Sequence, residues 1–183
     1  MANNNSPFGF RASLIADVEN QYADYTITSG YGTSLYLGDP VMLSGGVNGM
    51  ANLVIATPGA KIAGIFMGVE WTNPDGYRRR TSQWTGGQVA TQIIAYVADN
   101  PFTRFRVQLS GAYSDADIGQ LADFVAGTGN NVSQSAYALD STTVGTGTGF
   151  LITDVYESPN NSVGEYAVVE VGLSCHANVS LPV

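Results

Sequence analysis

Arg104-Phe105-Arg106-Val107-Gln108-Leu109 carries an apolar side chain at every second position. Successive side chains of an extended chain point to opposite faces, so Phe105, Val107 and Leu109 share one face of a strand. Val169, Val171 and Leu173 alternate in the same way. Composition extends this reading to the whole chain. Val, Ile and Thr supply 42 of 183 residues, whereas there is a single lysine, Lys61. Branched side chains fit a pleated surface and lose little freedom there, so strands are favoured over helices. Gly, Asn, Asp and Pro clusters interrupt the chain at short intervals, the pattern of many short strands joined by tight turns.

Nine strands are expected from this pattern. They are Tyr25 to Thr28, Ser34 to Leu37, Val41 to Leu43, Leu53 to Ala56, Ile62 to Thr72, Ile93 to Val97, Arg104 to Leu109, Phe150 to Tyr156 and Tyr166 to Cys175. Gly38-Asp-Pro40, Asn73-Pro-Asp-Gly76 and Asp99-Asn-Pro101 place turn residues where reversals are needed. One segment departs from the rule. Ser114 can cap a helix through Val125 that ends at Gly127, with Ile118, Leu121, Ala122 and Val125 on one face, although Gly119 weakens it. Residues 130–149, rich in Ser, Thr, Gly and Asn, read as long loops, and residues 1–12 as a flexible arm. The expected fold is therefore all-β: a single-domain sandwich or barrel over 13–183, with an N-terminal arm and at most one short helix.

Charge narrows the function. The chain has seven basic residues against fifteen acidic ones, a formal net charge of −8. Nucleic-acid binding needs cations that displace phosphate counterions, and an anionic membrane repels such a chain, so neither is an expected partner. Hydrophobic residues make up 44% and charged residues 12%, too apolar a mixture for intrinsic disorder. The start, Met1 to Pro7, lacks the basic and apolar regions of a secretory signal, and Cys175 is a lone cysteine, so folding in a reducing cytoplasm is expected.

Catalytic and metal-binding motifs are not expected. Cys175 and His176 are adjacent in a strand and point apart, so they cannot pair as thiolate and imidazole. Zinc would need several carboxylates beside them. There is no Gly-x-Ser-x-Gly elbow and no phosphate loop; Gly145-Thr-Gly-Thr-Gly149 lacks dinucleotide spacing. Asp115-x-Asp117-x-Gly119 fails as a calcium loop because Ala126 stands at the twelfth position. No cofactor, metal or enzymatic activity is expected.

Two features stand out as partner contacts. Arg78-Arg79-Arg80 holds three of the seven basic residues and precedes Gln83-Trp84. Arg and Trp are enriched in interface hot spots, against the plainer reading of a solvated hairpin strand. The Asn-rich start ends in Phe8-Gly9-Phe10-Arg11, whose aromatics call for an anchor on this subunit or a neighbour. Candidate contacts are thus Phe8, Phe10, Arg11, Arg78, Arg79, Arg80 and Trp84.

Gly38-Asp-Pro-Val41, Gly64-Ile-Phe-Met-Gly-Val-Glu-Trp-Thr72, Ala95-Tyr-Val-Ala-Asp-Asn-Pro101, Phe105-x-Val107 and Asp117-Ile-Gly119 occur in an order that resembles head decoration, or cement, proteins of tailed bacteriophages. The resemblance spans roughly residues 20 to 180. It implies a small, often jelly-roll-like β domain on the outside of a capsid, bridging neighbouring subunits of the major capsid protein and associating with itself as a dimer or trimer. It does not supply the contact residues. A rival expectation is a carbohydrate-binding or host-adhesion module with Trp71, Tyr77 and Trp84 as an aromatic platform.

Overall fold

The computed structural model describes residues 3–14, 22–126 and 134–177. Fifteen strands lie among them. The first eight are β1 (Arg11–Leu14), β2 (Ala23–Tyr25), β3 (Leu35–Tyr36), β4 (Pro40–Val47), β5 (Met50–Ile55), β6 (Gly64–Thr72), β7 (Arg78–Thr81) and β8 (Gln83–Trp84). The remainder are β9 (Thr91–Ala98), β10 (Arg104–Gln108), β11 (Leu121–Ala122), β12 (Phe124–Val125), β13 (Ala138–Leu139), β14 (Phe150–Val155) and β15 (Val168–Leu173). Eight of the nine expected strands overlap observed ones over at least half of their length, while Tyr25 to Thr28 is displaced, its strand being Ala23–Tyr25 with Thr26 in an isolated bridge. The turns do what their residues dictate: Gly76 N–H closes the Asn73 turn at 2.9 Å with a positive φ of 82° that suits glycine.

Two antiparallel sheets make the sandwich. The first runs β1-β10-β15-β14-β11. Its register pairs Phe105 with Val171 and Val107 with Val169, so the alternation in the sequence becomes one continuous apolar face. That face, with Phe150 and Ile152, fills one hydrophobic cluster. The second sheet runs β2-β9-β6-β4-β5, with β7 added alongside β6. It curls until its ends meet: Thr26, following β2, donates its N–H to the Ala51 carbonyl at 3.0 Å and accepts from the Leu53 N–H at 2.8 Å. Closing the sheet removes two bare edges.

The closed sheet has an inside and an outside, and β6 shows both. Phe66, Val69 and Trp71 point inward with Val97, Leu53 and Ile27, forming a second cluster capped by Leu35 and Trp84 from the β3-β8 ribbon. Ile65 points outward and, with Ala98, joins the cluster beneath the five-stranded sheet. A strand buried on both faces should read as a nearly unbroken apolar run, and Ile62 to Trp71 does.

Two expectations change. The helix from Ser114 does not form. Ser114 starts only a 3₁₀ turn at Asp115–Asp117, with its N–H bonded to the Asp117 carboxylate at 2.7 Å. Gly119 then adopts φ 83°, and backbone bonds of 2.9 and 3.0 Å tie Gly119 and Gln120 to Ile152, drawing the chain into sheet pairing. The span 130–149 is broken by β13 and by a 3₁₀ turn at Ser141–Thr143, while residues 127–133 lie outside the described residues.

The described part of the expected arm, from Asn3 onward, is laid on the body rather than projecting from it. Asn3 Nδ2 donates to the Ser162 and Glu165 carbonyls at 2.7 and 2.9 Å. Gln108 accepts from the Ser6 N–H and donates to the Asn4 carbonyl, each at 2.8 Å. Short amides suit this role because each offers a donor and an acceptor to an otherwise unpaired backbone.

Candidate functional site

Docking of residues 3–14 separates two aromatics that are neighbours in sequence. Phe10 turns inward, 1% exposed, and stacks on Phe150. Phe8 stays half-buried on the opposite side. Phe10 is therefore an internal anchor and not a contact for a partner. Trp84 is corrected in the same way. It is fully buried, packs edge-on against Trp71 at 6.0 Å, and donates its Nε1–H to the Tyr31 carbonyl at 3.3 Å. A large ring with its one polar atom satisfied belongs in a core.

The Arg78 to Arg80 stretch is extended, as expected, and exposed throughout β7. Arg78 and Arg80 flank Glu70 of β6. Arg78 forms an ion pair with Glu70, and Arg80 stands in register with it while its guanidinium lies 4.9 Å from the Tyr96 ring centre. The bonded Arg78 holds the Glu70 carboxyl below the usual carboxylate range, with Arg80 adding to the effect. Much of this charge is thus answered within the chain. Arg79 points to the other side of the strand, in register with Trp71.

A second basic cluster, which the sequence reading did not single out beyond Arg11 and Phe8, sits on the outer face of the five-stranded sheet. Residues paired across strands point the same way, so Arg11 of β1 and Arg106 of β10 emerge side by side. Each guanidinium lies over a ring: Arg11 is 5.9 Å from the centre of Phe8, and Arg106 4.5 Å from that of Tyr156. Among the described residues neither has a carboxylate within 4.0 Å, the one ion pair there being Arg78 with Glu70. Arg106 Nε is buried and makes no hydrogen bond among the described residues. The four side chains, with Ser158 and Asn160, border a groove of about 380 Å³. Its far wall is fixed by Asn161, whose amide bonds the Tyr156 and Val168 carbonyls at 2.7 and 2.8 Å.

At the opposite end of the same face a second groove, about 470 Å³, is bordered by Arg104, Leu151 and Phe102, which is 78% exposed. The signal for this face was present in the sequence. Alternation that buries Phe105 and Val107 must present Arg104 and Arg106 outward, a concentration that matters in a chain with only seven basic residues.

Comparison with family models, curated proteins and solved structures finds no match. Among the described residues no group of three or more His, Cys, Asp or Glu could hold a metal ion. Cys175 and His176 continue past β15, where the Cys175 carbonyl accepts from the Ile62 N–H at 2.8 Å. Among the described residues no helix is long and apolar enough to cross a membrane. The aromatic platform of the carbohydrate alternative is not assembled: Trp71 and Trp84 are interior, and only Tyr77 is exposed.

Proposed function

We propose that this chain is a structural decoration protein that sits on the outer surface of a tailed-phage head, bridges neighbouring major capsid protein subunits, and acts without catalysis or cofactor. The observation that supports it best is the outer face of the five-stranded sheet. That face gathers Arg11, Arg104 and Arg106 with Phe8, Tyr156 and Phe102, while the opposite face of the same strands is wholly apolar and locked into the core. Arg and aromatic side chains on a rigid backing are the composition of interface anchors. Chain acidity fits an exterior position, away from packaged DNA. The β7 ridge offers a second station, so one subunit can touch two neighbours. An interface on the order of 1,000 Å² suffices for specific attachment, and repetition over a lattice adds avidity.

The test is to mix purified protein with undecorated heads of the phage that encodes it and count bound copies per shell. The reading expects saturation at a fixed lattice stoichiometry, with dimers or trimers at symmetry axes. A particle structure with this chain facing the genome, or turnover of a substrate by the purified protein, overturns it.

A further inference from the structure

Arg11 and Arg106 are cross-strand partners, so two like charges face each other at one strand spacing, an arrangement that is unfavourable unless an anion lies between them. The chain has fifteen carboxylates and brings none within ion-pairing distance of either guanidinium among the described residues. Glu170 stands in register on the other side of Arg106 and still forms no ion pair with it. Each guanidinium carbon lies over a ring, Arg11 over Phe8 and Arg106 over Tyr156, and all four side chains border the groove. The Nε of Arg106 is buried and has no hydrogen-bond partner among the described residues.

We propose that this groove is an acceptor site for a carboxylate side chain, Asp or Glu, carried on an acidic segment of a partner protein. This inference rests on the decoration reading for the identity of the partner, the major capsid protein, and not for the chemistry of the site. A carboxylate matches the fork of a guanidinium with two parallel hydrogen bonds, and two forks side by side surround it. Phe8 and Tyr156 already support guanidiniums, so recognition in the groove is by charge more than by stacking on a ligand ring. Asn160 and Ser158 on the rim supply hydrogen bonds to the backbone flanking the acidic side chain. The built groove also explains the strap: without residues 3–10 in place, Phe8 and Arg11 would not complete it.

Two measurements test the site and separate it from the reading it leans on. In the first, the full chain labelled for arginine Nε–H resonances is titrated with the peptide acetyl-Gly-Glu-Gly-amide, with its Gln analogue, and with inorganic phosphate. The Arg106 resonance is expected to move saturably with the Glu peptide and at least about five-fold more weakly with the Gln peptide. Equal response to both peptides, response to neither, or a stronger response to phosphate overturns the proposal. In the second, Arg106→Gln and Arg11→Gln are compared with Lys61→Gln in binding to undecorated heads. The groove variants are expected to weaken half-saturation by about ten-fold and the lysine control by less than about two-fold. Unchanged binding by the groove variants overturns the site. If the native chain responds to the Glu peptide but binds no heads, the decoration reading falls and the carboxylate site stands.

Discussion

The ring of Phe10 lies on the ring of Phe150 with centroids 4.3 Å apart and planes 16° from parallel. That single stack fastens the first described residues to the middle of the core. Phe124 meets Phe150 edge-on at 6.1 Å, so Phe10 completes a three-ring cluster that includes a strand near the other end of the chain. Replacing Phe10 with Ala removes a fully buried ring from the core, and should cost about 3–5 kcal/mol in urea unfolding. Phe8→Ala, on the outer side, should cost less than about 1 kcal/mol. Equal losses for the two would mean that the strap does not dock as described.

The entry of the strap depends equally on Gly9. Its φ is 73°, and a Cβ there would overlap Ser135 and lie 2.9 Å from the Gly38 carbonyl oxygen. Gly30 has a similar φ of 80° but open space around it. Gly30→Ala should therefore cost only about 1 kcal/mol of backbone strain, while Gly9→Ala adds steric overlap and should lose several times more. Thermal unfolding of the two variants separates the contributions. Adding Ser135→Gly to Gly9→Ala should restore part of the loss, and no restoration would place the cost elsewhere.

How far the sequence was readable follows from which interactions are periodic. Alternation exposed β10 and β15, and the long apolar run at Ile62 to Trp71 exposed β6, because burial acts on every residue of those strands. β1, β8, β11, β12 and β13 are two to four residues long and too short to hold a period. Their positions are set by partners far along the chain, as Arg11 is by Arg106. The Ser114 segment misled for the same reason: its spacing of Ile118, Leu121 and Val125 satisfies a helix, yet hydrogen bonds to Ile152 outweigh it. At the candidate site, composition pointed to Arg78 to Arg80 because they are contiguous. Arg11 and Arg106 are 95 residues apart, and only the sheet register brings them together.

The β7 ridge separates stability from binding. Arg78, Arg79 and Arg80 are exposed, and the ion pair with Glu70 is open to solvent and salt. Exposed pairs contribute little to folding. Changing all three to Ser should leave the unfolding temperature within measurement error while weakening attachment to undecorated heads. A marked drop in unfolding temperature would assign the ridge to the fold rather than to a partner.

Asp39 makes stability depend on pH in an unusual direction. It is buried between β3 and β4; one carboxylate oxygen accepts the Tyr36 N–H at 2.8 Å and the other, Oδ1, has no hydrogen-bond partner. Burial pushes its pKa up to about 6, against the smaller opposing effects of the Tyr36 N–H and of the nearby Ser135 hydroxyl, which lies outside hydrogen-bond geometry to Oδ1. The folded chain thus holds a proton that the unfolded chain releases near the ordinary carboxyl value of 3.8. The contribution of Asp39 is fully present below that value and is lost as pH rises through about 6, amounting to about 3 kcal/mol. Asp39→Asn keeps an acceptor for Tyr36 and carries no charge. It should raise stability at pH 7.5 by about 1–3 kcal/mol and flatten the dependence between pH 4 and 7 that the native chain shows in urea titrations. A variant less stable than the native chain at pH 7.5 would show that the ionised carboxylate finds compensation in the interior that its hydrogen bonds do not reveal.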